Sequence, residues 1–229
     1  MDLLLNSIKR IRRGKEGYKL LNLTKALELT IKAKEDPRAI LELENLIKEA
    51  IAVENAKNNN KINAFRVLNK IIKENRKKYP DRIQTHGAWI EPFENKQYIT
   101  NGYYIIEINQ PIEGLPQLGP DVEPPINGRK LFADTIEKAK YEEVFINISD
   151  LKKQFKIAQV EAKIAKAEID KIPPGQIKIG ASWYPVNQLI DIINTLGEDI
   201  RIYTEKNCNK PCLLISNTGR ALIMPINKQ

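Results

Sequence analysis

The chain has 229 residues, and its 37 lysines and arginines outnumber 29 aspartates and glutamates, giving a formal net charge of +8 and a pI near 9.3. That length can bury the core of one domain carrying an appendage, and the cationic balance favours an anionic partner such as nucleic acid. Two cysteines exclude a secreted disulfide framework, no apolar run approaches the ~20 residues of a membrane span, and the start MDLLLNSIKRIRRG lacks a signal-peptide core. The expectation is a soluble, cytoplasmic protein with no membrane partner.

Residues 1–19 carry Lys9, Arg10, Arg12, Arg13, Lys15 and Lys19 against Asp2 and Glu16, with Gly14 and Gly17 interrupting any helix. Two readings stand: a basic arm that contacts phosphates, and a solvated terminus. From Leu20 to Ala56 the composition is helical, broken at Asp36-Pro37, where Asp36 serves as N-cap and Pro37 occupies the first helical position. Leu41, Leu43, Leu46, Ile47 and Ile51 are the expected buried stripe of the second helix. This basic arm and helical hairpin form a first region, 1–57, fit for bracing, self-association or docking. AKNNNK at 56–61 reads as a polar linker.

Ile62, Phe65, Leu68 and Ile72 then place an apolar stripe on a helix running to about Tyr79. On the same helix Arg66, Lys70, Lys73 and Lys77 follow the i, i+4, i+7, i+11 spacing that stacks side chains on one face. A core stripe thus lies opposite a basic stripe, which is either a phosphate-facing surface or a solvated face. Strands are expected at Thr85–Glu91, Gln97–Thr100 and Tyr103–Ile108, the last two joined by an Asn101-Gly102 hairpin turn. Pro111, Pro116, Pro120, Pro124 and Pro125 make residues 110–128 a long extended connection. Beyond it a short helix at Phe132–Lys140, a strand at Val144–Ile148 and a cap at Ser149 or Asp150 are expected. They precede a helix over Lys152–Ile172 with Lys152, Lys153, Lys156, Lys163 and Lys166 around it, closed by Pro173-Pro174-Gly175.

The last fifty residues are the most legible. Val186, Leu189, Ile190, Ile193 and Leu196 recur at helical spacing between Pro185 and Gly197, and Ile200, Ile202, Leu213 and Ile215 alternate as strands. Ser216-Asn217-Thr218-Gly219 supplies turn chemistry between Leu213–Ser216 and Arg220–Ile226. Tyr98–Asn109 and Leu214–Asn227 look like two copies of one strand-turn-strand segment, each with a helix upstream, so the chain repeats a helix-plus-strands unit. Half-repeats are expected at about 62–110 and 176–227, within a region spanning 62–227.

Chemistry is poorly supplied. His86 is the sole histidine, no nucleophile elbow, P-loop or dinucleotide fingerprint occurs, and Cys208 with Cys212 and His86 falls short of four metal ligands. The carboxylates are scattered, with no pair spaced for acid–base work. The sequence therefore reads as non-enzymatic, with neither metal nor cofactor.

Four segments in order resemble the last half-domain of bacterial and phage DNA sliding clamps, the processivity factors similar to the DNA polymerase III β subunit. They are Pro185-Val186-Asn187, Leu189-Ile190-Asp191, Lys210-Pro211-Cys212-Leu213-Leu214-Ile215 and Ala221-Leu222-Ile223-Met224-Pro225-Ile226. The resemblance implies an α+β, DNA-clamp-like domain made of two helix-plus-strands half-repeats, preceded by the helical hairpin. It also implies a role in replication or as a docking platform, with Arg66, Lys70, Lys73 and Lys77 facing double-stranded DNA and Arg10, Arg12 and Arg13 as further contacts. Leu222, Met224 and Pro225 match positions of a pocket that takes short linear peptides of polymerases and other DNA-acting proteins, although alternating strand residues otherwise face a core. Three departures stand out: one domain where clamp subunits carry three, so that a ring needs a homo-oligomer; no terminal arginine; and a neutral-to-acidic second helix bearing Asn187, Gln188, Asp191 and Asn194. A clamp fold without a ring, binding proteins rather than DNA, is the alternative.

Overall fold

The computed structural model describes residues 17–32, 36, 38–91, 94–138, 140–165, 175–206 and 209–226. It has mixed α+β architecture in two compact units, Met1–Asn60 and Lys61–Gln229. Among the described residues no helix is long and apolar enough to cross a membrane. The basic arm with Arg10, Arg12 and Arg13 lies outside the described residues.

The first unit is a helical hairpin of α1 (Gly17–Lys32) and α2 (Arg38–Asn58). Asp36 caps α2: its Oδ1 accepts from the Arg38 backbone N–H at 3.0 Å and from Arg38 Nε at 3.2 Å. These bonds hold its carboxyl below the usual range. The expected stripe on α2 is corrected. Leu41, Ile47 and Ile51 are exposed and Leu43 and Leu46 half-buried, while Ala39, Ala52 and Ala56 are the buried positions. Small side chains let backbones approach closely, and two helices offer one contact face between them, so larger residues off that face stay in water. The helix also runs through Asn58, leaving a shorter linker than AKNNNK suggests.

The second unit is built on a seven-stranded antiparallel sheet. Its strands are β1 (Trp89–Glu91), β2 (Lys96–Thr100), β3 (Tyr104–Ile108), β4 (Glu142–Val144), β7 (Arg201–Thr204), β8 (Cys212–Ile215) and β9 (Gly219–Ile223), in the order β1-β2-β3-β9-β8-β7-β4. Helix α3 (Ile62–Lys78) precedes β1–β3 and helix α6 (Val186–Leu196) precedes β7–β9. Two helix-plus-three-strand halves thus meet edge to edge where β3 pairs with β9, Ile106 opposite Ala221. Helix α6 packs on both β3 and β9, and α3 packs on α6. Each helix end is also tied to its own hairpin. Asn75 Nδ2 donates to the Thr100 carbonyl at 3.0 Å, and the Ser216 and Thr218 hydroxyls donate to the Leu196 carbonyl at 2.9 and 2.6 Å.

Three residues separate the strands in each hairpin, 101–103 and 216–218, rather than an Asn-Gly pair alone. Thr100 pairs with Ile105 and Ile215 with Arg220. Asn101 explains the first: its Oδ1 accepts from the Tyr103 and Tyr104 backbone N–H groups, widening the loop, while Gly102 takes φ +88°. This register equates Ile99 with Leu214 and Ile106 with Ala221, all fully buried, one residue out of step with the letter match of Asn101 to Asn217. A one-residue slip would turn every side chain to the other face, so burial fixes the equivalence.

The opposite face of the sheet is covered by α4 (Gly128–Lys138), with Leu118 of the 110–127 connection packed beside its core cluster. The connection is better anchored than its prolines suggest, with Ile112 and Leu115 buried. Phe132 of α4 joins Trp89, Tyr98, Ile105, Leu213 and Leu222 in a core cluster. Glu91 takes the α4 N-terminus, its carboxylate accepting from the Gly128 and Arg129 N–H groups. Other boundaries shift. Ile83–Thr85 is a 3-10 turn, so β1 begins only at Trp89. Strand β4 ends at Val144 and α5 (Ile148–Ala165) starts early, because Asn147 rather than Ser149 or Asp150 caps it, accepting from both of their N–H groups. A β5–β6 hairpin (Gln176–Ile179, Ser182–Pro185) leads into α6. That helix ends at Gly197, whose φ of +101° suits only glycine.

Candidate nucleic-acid interface

Helix α3 separates its faces cleanly. Phe65, Leu68, Ile71, Ile72 and Asn75 are buried, and Arg66, Lys70, Lys73 and Lys77 are exposed on the opposite side. Asn75 fixes the helix rigidly, donating also to the Thr85 carbonyl at 2.9 Å, and Arg76 Nε donates to the His86 carbonyl at 2.9 Å. Arg76 and Lys78 are further exposed cations that the four-residue stripe omits, and the run of basic residues in the last turn is their sequence signal.

Helix α6 lies alongside with Asn187 and Asn194 exposed and Asp191 half-buried. Asn63, Arg66 and Val67 of α3 and Ile193, Asn194, Gly197 and Glu198 line a shallow cleft between the two helices. Lys70 Nζ stands 3.8 Å from Glu74 and 3.9 Å from Asp191. At these separations and exposures such pairs contribute no more than about 1 kcal/mol, so Lys70 remains available to an anionic ligand. Burial raises the Asp191 carboxyl above its ordinary value, and Lys70 opposes that shift.

A carboxyl whose folded-state pKa is raised destabilises the fold when ionised, and the penalty fades as pH falls through the raised pKa. Asp191→Asn should therefore increase stability at pH 7, with the gain over wild type shrinking on acidification, as read from urea midpoints at stepped pH.

The peptide-pocket positions are dispersed in depth. Leu222 is buried in the cluster under α4, Met224 is 48 % exposed, and Pro225 is half-buried. Met224 is held by its backbone N–H, which donates to the Tyr103 carbonyl at 2.9 Å. The lone histidine is a structural neighbour of the α3 end, with Nε2 2.8 Å from the Tyr79 carbonyl oxygen. Cys212 is buried, and burial pushes its thiol up to about 12; Cys208 lies outside the described residues.

Comparison with protein-family models, with curated proteins and with solved structures gave no match.

Proposed function

We propose that this chain is a non-enzymatic, DNA-associated protein of the sliding-clamp kind, serving replication or docking other DNA-acting proteins. The observation that carries the reading is the duplication itself. Two helix-plus-three-strand halves join at β3 and β9, their helices pack side by side on one face, and one of those helices turns four cations outward. A rigid helix face bearing cations at i, i+4, i+7 and i+11 suits backbone phosphates without reading sequence. The protein touches double-stranded DNA through Arg66, Lys70, Lys73 and Lys77. A closed ring of about six such units would need a homo-oligomer. Binding of the full chain to a duplex across a salt series tests the reading: affinity falling steeply with salt supports it, and affinity that is absent at low salt removes it.

A protein-binding regulator built on the same fold is the second reading. The observation favouring it is the exposed apolar set Leu27, Ile31, Ile40, Ile47 and Ile51 on the helical hairpin, a composition suited to docking a protein. Peptide docking at Leu222, Met224 and Pro225 would require Leu222 to be uncovered.

A further inference from the structure

The outer face of α6 is acidic to neutral, so of the two half-repeat helices α3 alone is basic, yet a third helix joins them. Helix α5 packs against α6. It follows β4, at the far edge of the sheet from the half that α3 precedes, so α6 is the middle helix of the three. Leu151 of α5 is buried and Phe155 half-buried, which turns Lys152, Lys153 and Lys156 toward the remaining sides of the helix, Lys153 and Lys156 exposed and Lys152 half-buried. Lys152 reaches the chain just past the C-terminal end of α6, its ammonium donating to the Glu198 carboxylate, and Glu198 is itself a wall of the cleft that Arg66 lines from the α3 side.

We infer that α5 forms a second basic flank of the interface, with Lys152, Lys153 and Lys156 contacting the duplex backbone on the side of α6 away from α3; this rests on the DNA reading above. Packed helices lie about 8–10 Å apart, so with α6 between them α3 and α5 stand up to roughly 16–20 Å from one another. Extended lysines reaching inward from both meet the phosphate ridges that bound a major groove about 12 Å wide. The neutral Asn187 and Asn194 of α6 then face the groove, where cations are not required. Glu198 and Asp150, which hold Lys152 and Lys153 in the free protein, release them to phosphates. Both are surface pairs of little strength, so the exchange weakens binding only slightly.

The test compares full-length wild type, Lys152→Glu/Lys153→Glu/Lys156→Glu and Arg66→Glu/Lys70→Glu/Lys73→Glu/Lys77→Glu by fluorescence anisotropy on a labelled ~30-base-pair duplex at several salt concentrations. The α5 variant should bind at least about 10-fold more weakly and lose about 2 to 3 from the slope of log affinity against log salt. Glu198→Gln, which frees Lys152 and removes a negative charge, should bind more tightly. A glutamine version of the α5 triple, checked for unchanged melting temperature, should reproduce the slope change if the loss is electrostatic. An α5 variant with wild-type affinity and slope, beside an α3 variant that has lost binding, overturns the role of α5 and leaves the DNA reading intact. Wild-type protein that does not bind the duplex at low salt overturns both.

Discussion

Reversing Arg66, Lys70, Lys73 and Lys77 to glutamate should weaken duplex binding by at least about 100-fold at ~0.1 M salt and cut the salt slope by about 3 to 4, since each neutralised phosphate contact contributes ~0.9. All four side chains are exposed on the face of α3 opposite Phe65, Leu68 and Ile72, so the substitutions leave the core untouched. Lys70→Glu does bring a carboxylate toward Glu74 and Asp191, and like charges at helical spacing cost a few tenths of a kcal/mol each. A melting temperature within a few degrees of wild type therefore accompanies the expected loss. Unchanged affinity and slope in a folded variant would remove α3 from the interface.

Phe132→Ala should be the most damaging single substitution on the other face of the sheet. The ring is fully buried among Trp89, Tyr98, Ile105, Leu213 and Leu222, and truncation of a phenylalanine in such a site costs about 3–5 kcal/mol in transfer and cavity terms. It also removes the surface on which the Arg220 guanidinium lies, 4.4 Å from the ring centroid. Arg220 donates to Glu107 at 2.8 Å, and the same buried carboxylate accepts from Tyr98 Oη at 2.9 Å and pairs with Lys96 at 3.0 Å. Loosening Arg220 thus disturbs a charged cluster with nowhere else to find partners. Urea unfolding of the full chain should report the loss in the transition of the second unit. At temperatures where the variant is folded, duplex affinity should stay near wild type, because α3 and α6 cover the opposite face. A destabilisation below about 1 kcal/mol would mean that α4 does not hold Phe132 in the core.

What could be read from the residues divides along the range of the interactions involved. Helix α6 has Pro185 before its first residue and Gly197 after its last, and its bounds are those the letters indicate, since both are local backbone signals. The two faces of α3 were equally legible, because a large hydrophobic stripe and a cationic stripe announce themselves at the same period. The buried stripe of α2 is hidden in the letters because its contact residues are alanines, too small to stand out against the leucines and isoleucines beside them. The repeat was visible in the two hairpins, but its register was not, since only cross-strand pairing distinguishes Ile99 with Leu214 from Ile99 with Ile215. Isolated anchors such as Ile112 and Leu115, set among prolines, carry no period and are recognised only once the sheet they cover exists. The lysines of α5 were legible as charges but not as part of the candidate interface, because nothing local says which helix α5 will pack against.

Lysine acetylation footprinting of the full chain, free and saturated with duplex DNA, tests the central claim most directly because it needs no substitution. Lys70, Lys73 and Lys77 should lose reactivity on binding, while the exposed Lys178 and Lys206, at the β5–β6 hairpin and beyond β7, keep theirs. Undiminished acetylation of Lys70, Lys73 and Lys77 in the saturated complex would contradict the account.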